Sequence, residues 1–150
     1  MRVLAFDTGA RRTGVAVSDP SGTVARPLRV LHGEDVLDQA VRIVAEFEDD
    51  DPVRAIVVGL PRRLDGSDTH GTARARAFAE ALAARTGVPV THQDERLTSV
   101  EAESRLAVRE RDWRARKATL DAAAAAVVLQ DYLDASTGSR ASALDAGDLE

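Results

Sequence analysis

Three acidic residues in separate segments of the chain stand in settings suited to metal-assisted hydrolysis: Asp7, Glu95 and Asp121. Asp7 sits where the apolar run Arg2-Val3-Leu4-Ala5-Phe6 meets a turn containing Gly9, so its carboxylate is expected at a strand end rather than along a solvated face. Glu95, in His92-Gln93-Asp94-Glu95-Arg96, likewise follows a strand-like segment, Val88 to Thr91. Asp121 opens the run Asp121-Ala122-Ala123-Ala124-Ala125-Ala126, whose small side chains let a helix approach a sheet closely and bring Asp121 toward Asp7. Each acid also has an ordinary reading. Asp7 suits a turn in which an aspartate bonds its own backbone. Glu95 suits an ion pair with Arg96 or Arg85. Asp121 suits a helix N-terminus, where a negative charge is worth roughly 0.3 to 1 kcal/mol.

The chemistry that three converging carboxylates would support is phosphodiester hydrolysis. That reaction needs an activated water, in-line geometry and neutralisation of the leaving oxygen, and two oxygen-ligated metals about 4 Å apart supply all three. The chain has no cysteine, and His32, His70 and His92 are scattered, which excludes disulfide frameworks and zinc sites of the usual composition. Any metal must sit on oxygen. Mg²⁺ takes a few carboxylates with water and substrate oxygens, and three acids from distant segments meet that need.

At 150 residues and 44% hydrophobic content, the chain fits one domain with a full core. Arg2 to Phe6 and Gly14 to Ser18 read as strands joined by the turn Thr8 to Thr13, and Val24 to Leu31 continues the antiparallel meander. Val36, Leu37, Ala40, Val41, Val44 and Phe47 recur at helical spacing up to the acidic run and Pro52. Ala55 to Val58 predicts a buried strand, Gly59 to Gly66 a loop, and Thr72 to Arg85 a helix that buries Phe78, Ala81 and Leu82 and ends at Gly87. Val88 to Thr91 predicts another strand, Thr98 the start of a further helix followed by a mobile mixed-charge loop, and Ala118 to Leu133 a final helix. The order predicts an α/β fold of the ribonuclease H-like kind, a mixed five-stranded sheet with helices on both faces. Residues 1–134 form the domain in this reading, and the Ala/Ser/Gly/Asp-rich residues 135–150 a disordered tail.

The formal net charge of −5 argues against a protein that coats nucleic acid nonspecifically, because such binding runs on clustered cations. Distribution matters more than the sum. Acids gather at Glu48 to Asp51 and at Asp145, Asp148 and Glu150, whereas Arg105, Arg109, Arg111, Arg114, Arg116 and Lys117 lie close together. A charge run alone reads as solvated surface. Its position just before Asp121 instead suggests phosphate contacts by Arg114, Arg116 and Lys117, joined by Arg11 and Arg12 in the first turn and Arg62 and Arg63 in the later loop. Nucleic acid is the expected partner. No apolar run is long enough to span a bilayer and the N-terminus lacks a signal-peptide pattern, so the expected location is the cytoplasm, away from membranes.

Four segments in order resemble the YqgF/RuvX family of pre-16S rRNA nucleases and Holliday junction resolvase-like proteins, within the ribonuclease H-like superfamily. They are Asp7-Thr8-Gly9-Ala10-Arg11-Arg12-Thr13-Gly14-Val15-Ala16-Val17-Ser18-Asp19, then Val57-Val58-Gly59-Leu60-Pro61 with Asp65-Gly66, then Asp94-Glu95-Arg96-Leu97-Thr98-Ser99, then Lys117-Ala118-Thr119-Leu120-Asp121-Ala122-Ala123-Ala124. The resemblance implies Asp7, Glu95 and Asp121 as catalytic ligands of Mg²⁺ or Mn²⁺, and activity on the 5′ end of pre-16S rRNA. The alternative it carries is resolution of Holliday junctions in branched DNA. Arg11 and Thr13 stand where the family often has Lys and Ile, departures that spare the carboxylates and bear on substrate preference.

Two other classes compete. Sugar-kinase and actin-like ATPases open on a similar Asp-x-Gly turn but bind nucleotide between two such lobes, and 150 residues without a second such turn provide one. A non-catalytic nucleic-acid-binding module is opposed by the presence of all three acids. Junction resolution needs two active sites and hence a symmetric homodimer, whereas rRNA trimming needs one, so monomer and homodimer both stay open. An aromatic content of 3% leaves few platforms for stacking bases, with Phe6, Phe47 and Phe78 expected in the core.

Overall fold

The computed structural model describes residues 1–63, 65–94 and 122–136. Its organising element is β1 (Arg2–Thr8), whose side chains alternate between two separate cores. Leu4 and Phe6 enter one, Val3 and Ala5 the other, and all four are fully buried. A strand covered on both faces has to be apolar without interruption, which is why this segment shows no polar alternation.

Strands β2 (Arg12–Ser18) and β3 (Ala25–His32) continue from β1 as the expected antiparallel meander. Strands β4 (Val53–Leu60) and β5 (Val90–Asp94) add in parallel on the other edge of β1. The result is the mixed five-stranded sheet, in the order β3-β2-β1-β4-β5. At one edge, β3 carries Arg26, Pro27 and Arg29 among mostly exposed positions, which blunts pairing with another chain.

Helices α1 (Val36–Glu46) and α2 (His70–Thr86) cover the Leu4 and Phe6 face. Thr69 caps α2 in a reciprocal box with Thr72, and Gly87 ends it in the left-handed conformation, φ 72°, its N–H bonding the Ala83 carbonyl. Helix α3, residues 122–136, lies on the Val3 and Ala5 face, so helices occupy both faces. There Ala125, Val128, Leu129 and Leu133 pack on Val3, Ala5, Ala16 and Val57. Alanines on both sides permit the close approach that the sequence suggests.

Gln130 anchors α3 to the strand edge. Its side chain accepts the Ala25 N–H at 2.9 Å and donates to the Thr23 carbonyl at 3.0 Å. Ala25 pairs with Ser18, whose hydroxyl accepts the Val3 N–H at 2.9 Å. Gln130 of α3 therefore sits by the start of β3, where the end of β2 meets the start of β1.

Several boundaries differ from the sequence reading. β1 runs through Thr8 and β2 starts at Arg12, so Asp7 lies within a strand and the turn shrinks to three residues. Gly59 and Leu60 belong to β4, not to the loop, and β5 spans Val90–Asp94 because its ladder runs from Ile56–Val90 to Leu60–Asp94. In α2 the fully buried positions are Thr72, Ala75, Ala79 and Leu82, with Ala81 and Phe78 only partly covered. Helix α3 continues to residue 136, three beyond the expected helix end at Leu133. The helix expected from Thr98, the mixed-charge loop, residues 118–121 and the tail after 136 lie outside the described residues.

Ala5→Leu should test the close helix contact. The added bulk has no space between β1 and α3 and should cost about 1–3 kcal/mol in urea unfolding; an unchanged midpoint would mean that α3 does not need a small residue there.

Candidate functional site

By alternation Asp7 shares the face of Val3 and Ala5, the face that α3 covers, and it is half-buried near the end of β1. Its neighbours across the sheet are small. Gly14 of β2 stands directly opposite it, and on the β4 side Gly59 follows Val58, the partner of Phe6. One row earlier, the same face is filled by Ala16, Ala5 and Val57. Two glycines in strand interiors sacrifice packing and mark places where another group comes close to the backbone. Here they leave the Asp7 side chain flanked by positions without side chains.

The turn after Asp7 is held tightly. Gly9 N–H donates to the Arg12 carbonyl at 2.7 Å, and a Cβ on Gly9 would lie 2.8 Å from that same oxygen. Only glycine fits without moving the backbone. The turn carries Arg11, exposed, and Arg12, half-buried, beside the end of β1.

β5 ends at the same edge. Gln93 pairs with Gly59, and since Val57 belongs to the α3 face, Gly59 and Gln93 share it. The next residue, Asp94, is 3.9 Å from the Arg62 guanidinium, which also lies 3.4 Å from Asp68; Asp68 in turn takes Arg76 at 2.8 Å. Arg62 thus ties the segment after β4 to the last residue of β5, while Arg63 is exposed. Arg85, the alternative partner of Glu95, bonds Asp38 of α1, at the far end of β5 from Asp94. That hydrogen bond and its charge hold the Asp38 carboxyl below the usual value.

Glu95, Asp121, Arg114, Arg116 and Lys117 lie outside the described residues. β5 ends at Asp94, one residue before Glu95, and the described part of α3 begins at Ala122, one residue after Asp121. The parallel strands β1, β4 and β5 end at one edge of the sheet, and open α/β sheets bind ligands at such edges. Among the described residues, no three His, Cys, Asp or Glu side chains form a metal-sized group.

A cavity of about 260 Å³ opens on the opposite side of the β1–β2 turn, against α1 and α2. It is lined by Thr8, Arg11, Arg12, Glu34, Arg74 and Phe78, among others. Glu34 and Arg74 escape the sequence reading because they are distant from Asp7 in sequence and no motif surrounds them, and Thr8, though inside the first motif, is set apart only by its burial.

An antiparallel meander, two parallel strands added on β1, helices on both faces and an acid at the end of the central strand define a ribonuclease H-like protein. The chain belongs to the RuvX family: the family described as "RuvX: Holliday junction resolvase" matches residues 1–135. A relative from Anaeromyxobacter sp. (strain Fw109-5) is 46% identical over 136 residues, covering 89% of this chain and 97% of its own. Another, from Thermobifida fusca (strain YX), is 44% identical over 140 residues, covering 87% and 86%. Both carry the name "Putative pre-16S rRNA nuclease". Among solved structures, RuvC of Thermus thermophilus aligns with a TM-score of 0.49 at 18% identity, over 92% of this chain and 97% of that one. No helix among the described residues is long and apolar enough to cross a membrane.

Gly9→Ala should push the Arg12 carbonyl away and displace the strand end that bears Asp7. We expect a loss of about 1–3 kcal/mol in thermal or urea unfolding, together with reduced cleavage; wild-type stability in this variant would show that the turn relaxes freely.

Proposed function

We propose that this protein is a metal-dependent nuclease that hydrolyses phosphodiester bonds at the 5′ end of pre-16S rRNA, with Asp7, Glu95 and Asp121 as ligands of Mg²⁺ or Mn²⁺. The observation that carries this reading is the bay around Asp7, flanked by Gly14 and Gly59 at the edge where β4 and β5 also end. The donor chemistry suits a hard divalent cation, since the chain offers carboxylates and no thiolates. When bound, such a cation supplies an activated water and neutralises charge on the leaving oxygen.

The protein's own groups have distinct tasks. Asp7 offers its carboxylate from a strand paired on both edges, which fixes its backbone. The glycine positions leave space for a phosphate to approach, and the tight turn keeps Arg11 and Arg12 beside the strand end. Arg63, Arg114, Arg116 and Lys117 contact phosphates and position the strand without reading sequence. Arg62, already paired with Asp68 and Asp94, acts first by holding the end of β5 in place and second as a phosphate contact. The names of the relatives support RNA as substrate, and work on that RNA would place the protein in the cytoplasm. The family description supports the second reading, Holliday junction resolution by a homodimer.

Purified protein should be offered a precursor 16S leader and a mobile four-way junction, with Mg²⁺ or Mn²⁺, and its mass measured in solution. Trimming of the leader by a monomer, abolished by EDTA, is the expected result. Symmetric junction cleavage by a dimer would favour the second reading, and binding without turnover under any divalent cation would leave a non-catalytic module.

Asp7→Asn should abolish cleavage while leaving the metal-free protein as stable as wild type, or more stable by ~1 kcal/mol, because it relieves repulsion among gathered carboxylates. Wild type should melt higher with Mg²⁺ or Mn²⁺ and the variant should gain much less. A strongly destabilised variant that still cleaves would make Asp7 a structural turn residue.

Replacing Arg114, Arg116 and Lys117 with Ala should weaken nucleic-acid binding and flatten its salt dependence, as loss of phosphate contacts requires. An unchanged slope would return these cations to the solvated surface.

A further inference from the structure

The cavity behind the β1–β2 turn is cationic, and it holds a polar group that the protein itself leaves unsatisfied. Thr8 is 7% exposed, and its hydroxyl is buried without a hydrogen-bond partner. A buried hydroxyl in that condition is costly, and native structures seldom keep one without a use. Around it the lining contributes Arg11, Arg12 and Arg74 against one acid, Glu34. Arg74 differs from its neighbours on α2. Arg76 is neutralised by Asp68 and Arg85 by Asp38, whereas Arg74 and Arg11 make no ion pair with any described residue. Phe78, whose ring lies 5.5 Å from that of Phe6, adds an apolar wall.

We propose that this cavity binds a backbone phosphate of the nucleic-acid strand being cleaved, at a nucleotide beyond the scissile bond, with Arg74 and the Thr8 hydroxyl as previously unassigned contacts. The proposal rests on the nuclease reading above and extends it to the other face of the sheet. Asp7 and Thr8 are consecutive in β1, so alternation places them on opposite faces at the same edge. The turn between those faces is only Gly9, Ala10 and Arg11, and its tightness leaves the edge low. A strand laid across that edge reaches the carboxylate on one side and the arginines on the other. Arginine's planar fork suits phosphate oxygens, and the threonine hydroxyl donates one further bond. The volume, about 260 Å³, equals roughly nine waters at ~30 Å³ each, ample for a phosphate with part of its sugar.

Binding of a fluorescent single-stranded RNA without divalent metal, followed by anisotropy over a range of salt, tests the assignment in wild type, Arg74→Ala, Arg74→Lys and Thr8→Val. Arg74→Ala should weaken binding five- to tenfold and lower the salt slope by about 0.7, the contribution of one single-strand phosphate contact. Arg74→Lys should restore most of the slope, since it restores the charge. Under cleavage conditions, Arg74→Ala should raise KM and leave kcat near wild type. Thr8→Val should bind more weakly yet melt at a higher temperature, because it removes the unsatisfied hydroxyl; a purely structural threonine would not show that combination.

If Arg74→Ala binds and responds to salt like wild type while Asp7→Asn still abolishes cleavage, the cavity assignment fails and the nuclease reading stands. If Arg74→Ala shows the binding defect but Asp7→Asn cleaves normally, the cavity stands as a phosphate site and the assignment of Asp7 fails. Inorganic phosphate at matched ionic strength separates a free-anion site from a strand site. Amide shifts at Gly9 and Gly33 on adding phosphate alone, with RNA affinity indifferent to Arg74→Ala, would overturn the strand assignment.

Discussion

The burial of β1 on both faces and both edges is the constraint from which the rest of the architecture follows. Each of its central residues has to be apolar, and the choice of residue on each side sets how near the covering helix can come. Leu4 and Phe6 are large and face two helices that bring their own bulky side chains. Val3 and Ala5 are smaller and face α3, which packs Ala125, Val128, Leu129 and Leu133 against them.

Asp7 is the first position of β1 at which that apolar requirement ends. Burying a carboxylate among packed side chains would cost far more than the surrounding core could offset. The flanking glycines, Gly14 and Gly59, remove side-chain packing from the row that Asp7 occupies, so the half-buried group is not enclosed by apolar side chains from its neighbouring strands. The tight turn held by Gly9 then returns the chain at once into β2, which keeps the site at the rim of the sheet and exposed to large substrates.

Most of the fold could be read from the sequence because its signals are local. The apolar run of β1, the helical spacing from Val36 to Phe47 and the terminating Gly87 each act within a few residues. Strand limits were less legible because pairing decides them. Gly59 resembles a loop residue by type and belongs to β4 only because Val58 and Leu60 are held by neighbours on both sides. The buried positions of α2 were misjudged because its alanines lie all round the helix, and only contact with the sheet distinguishes Ala75 and Ala79 from Ala81. For the site, the motif around Asp7 could be read from the sequence, while the glycine bay and the pairing of Arg62 with Asp94 required the strand register.

The charge of the molecule fits this geometry better than its sum suggests. A net −5 disfavours long-range attraction to nucleic acid, and much of the acidity is local or internally engaged: Asp38 with Arg85, Asp68 with Arg62 and Arg76, and Asp19 with the backbone of Thr23 and Val24. Pairing removes cations from use as well as acids. Arg11 and Arg74, which make no ion pair with any described residue, therefore matter more than their number implies. They lie at an edge where a carboxylate on one face and a cationic hollow on the other are separated by a three-residue turn. Local attraction of this kind holds a strand where the acid can reach it, and the net negative charge of the chain favours engagement at a few places over coating along a length.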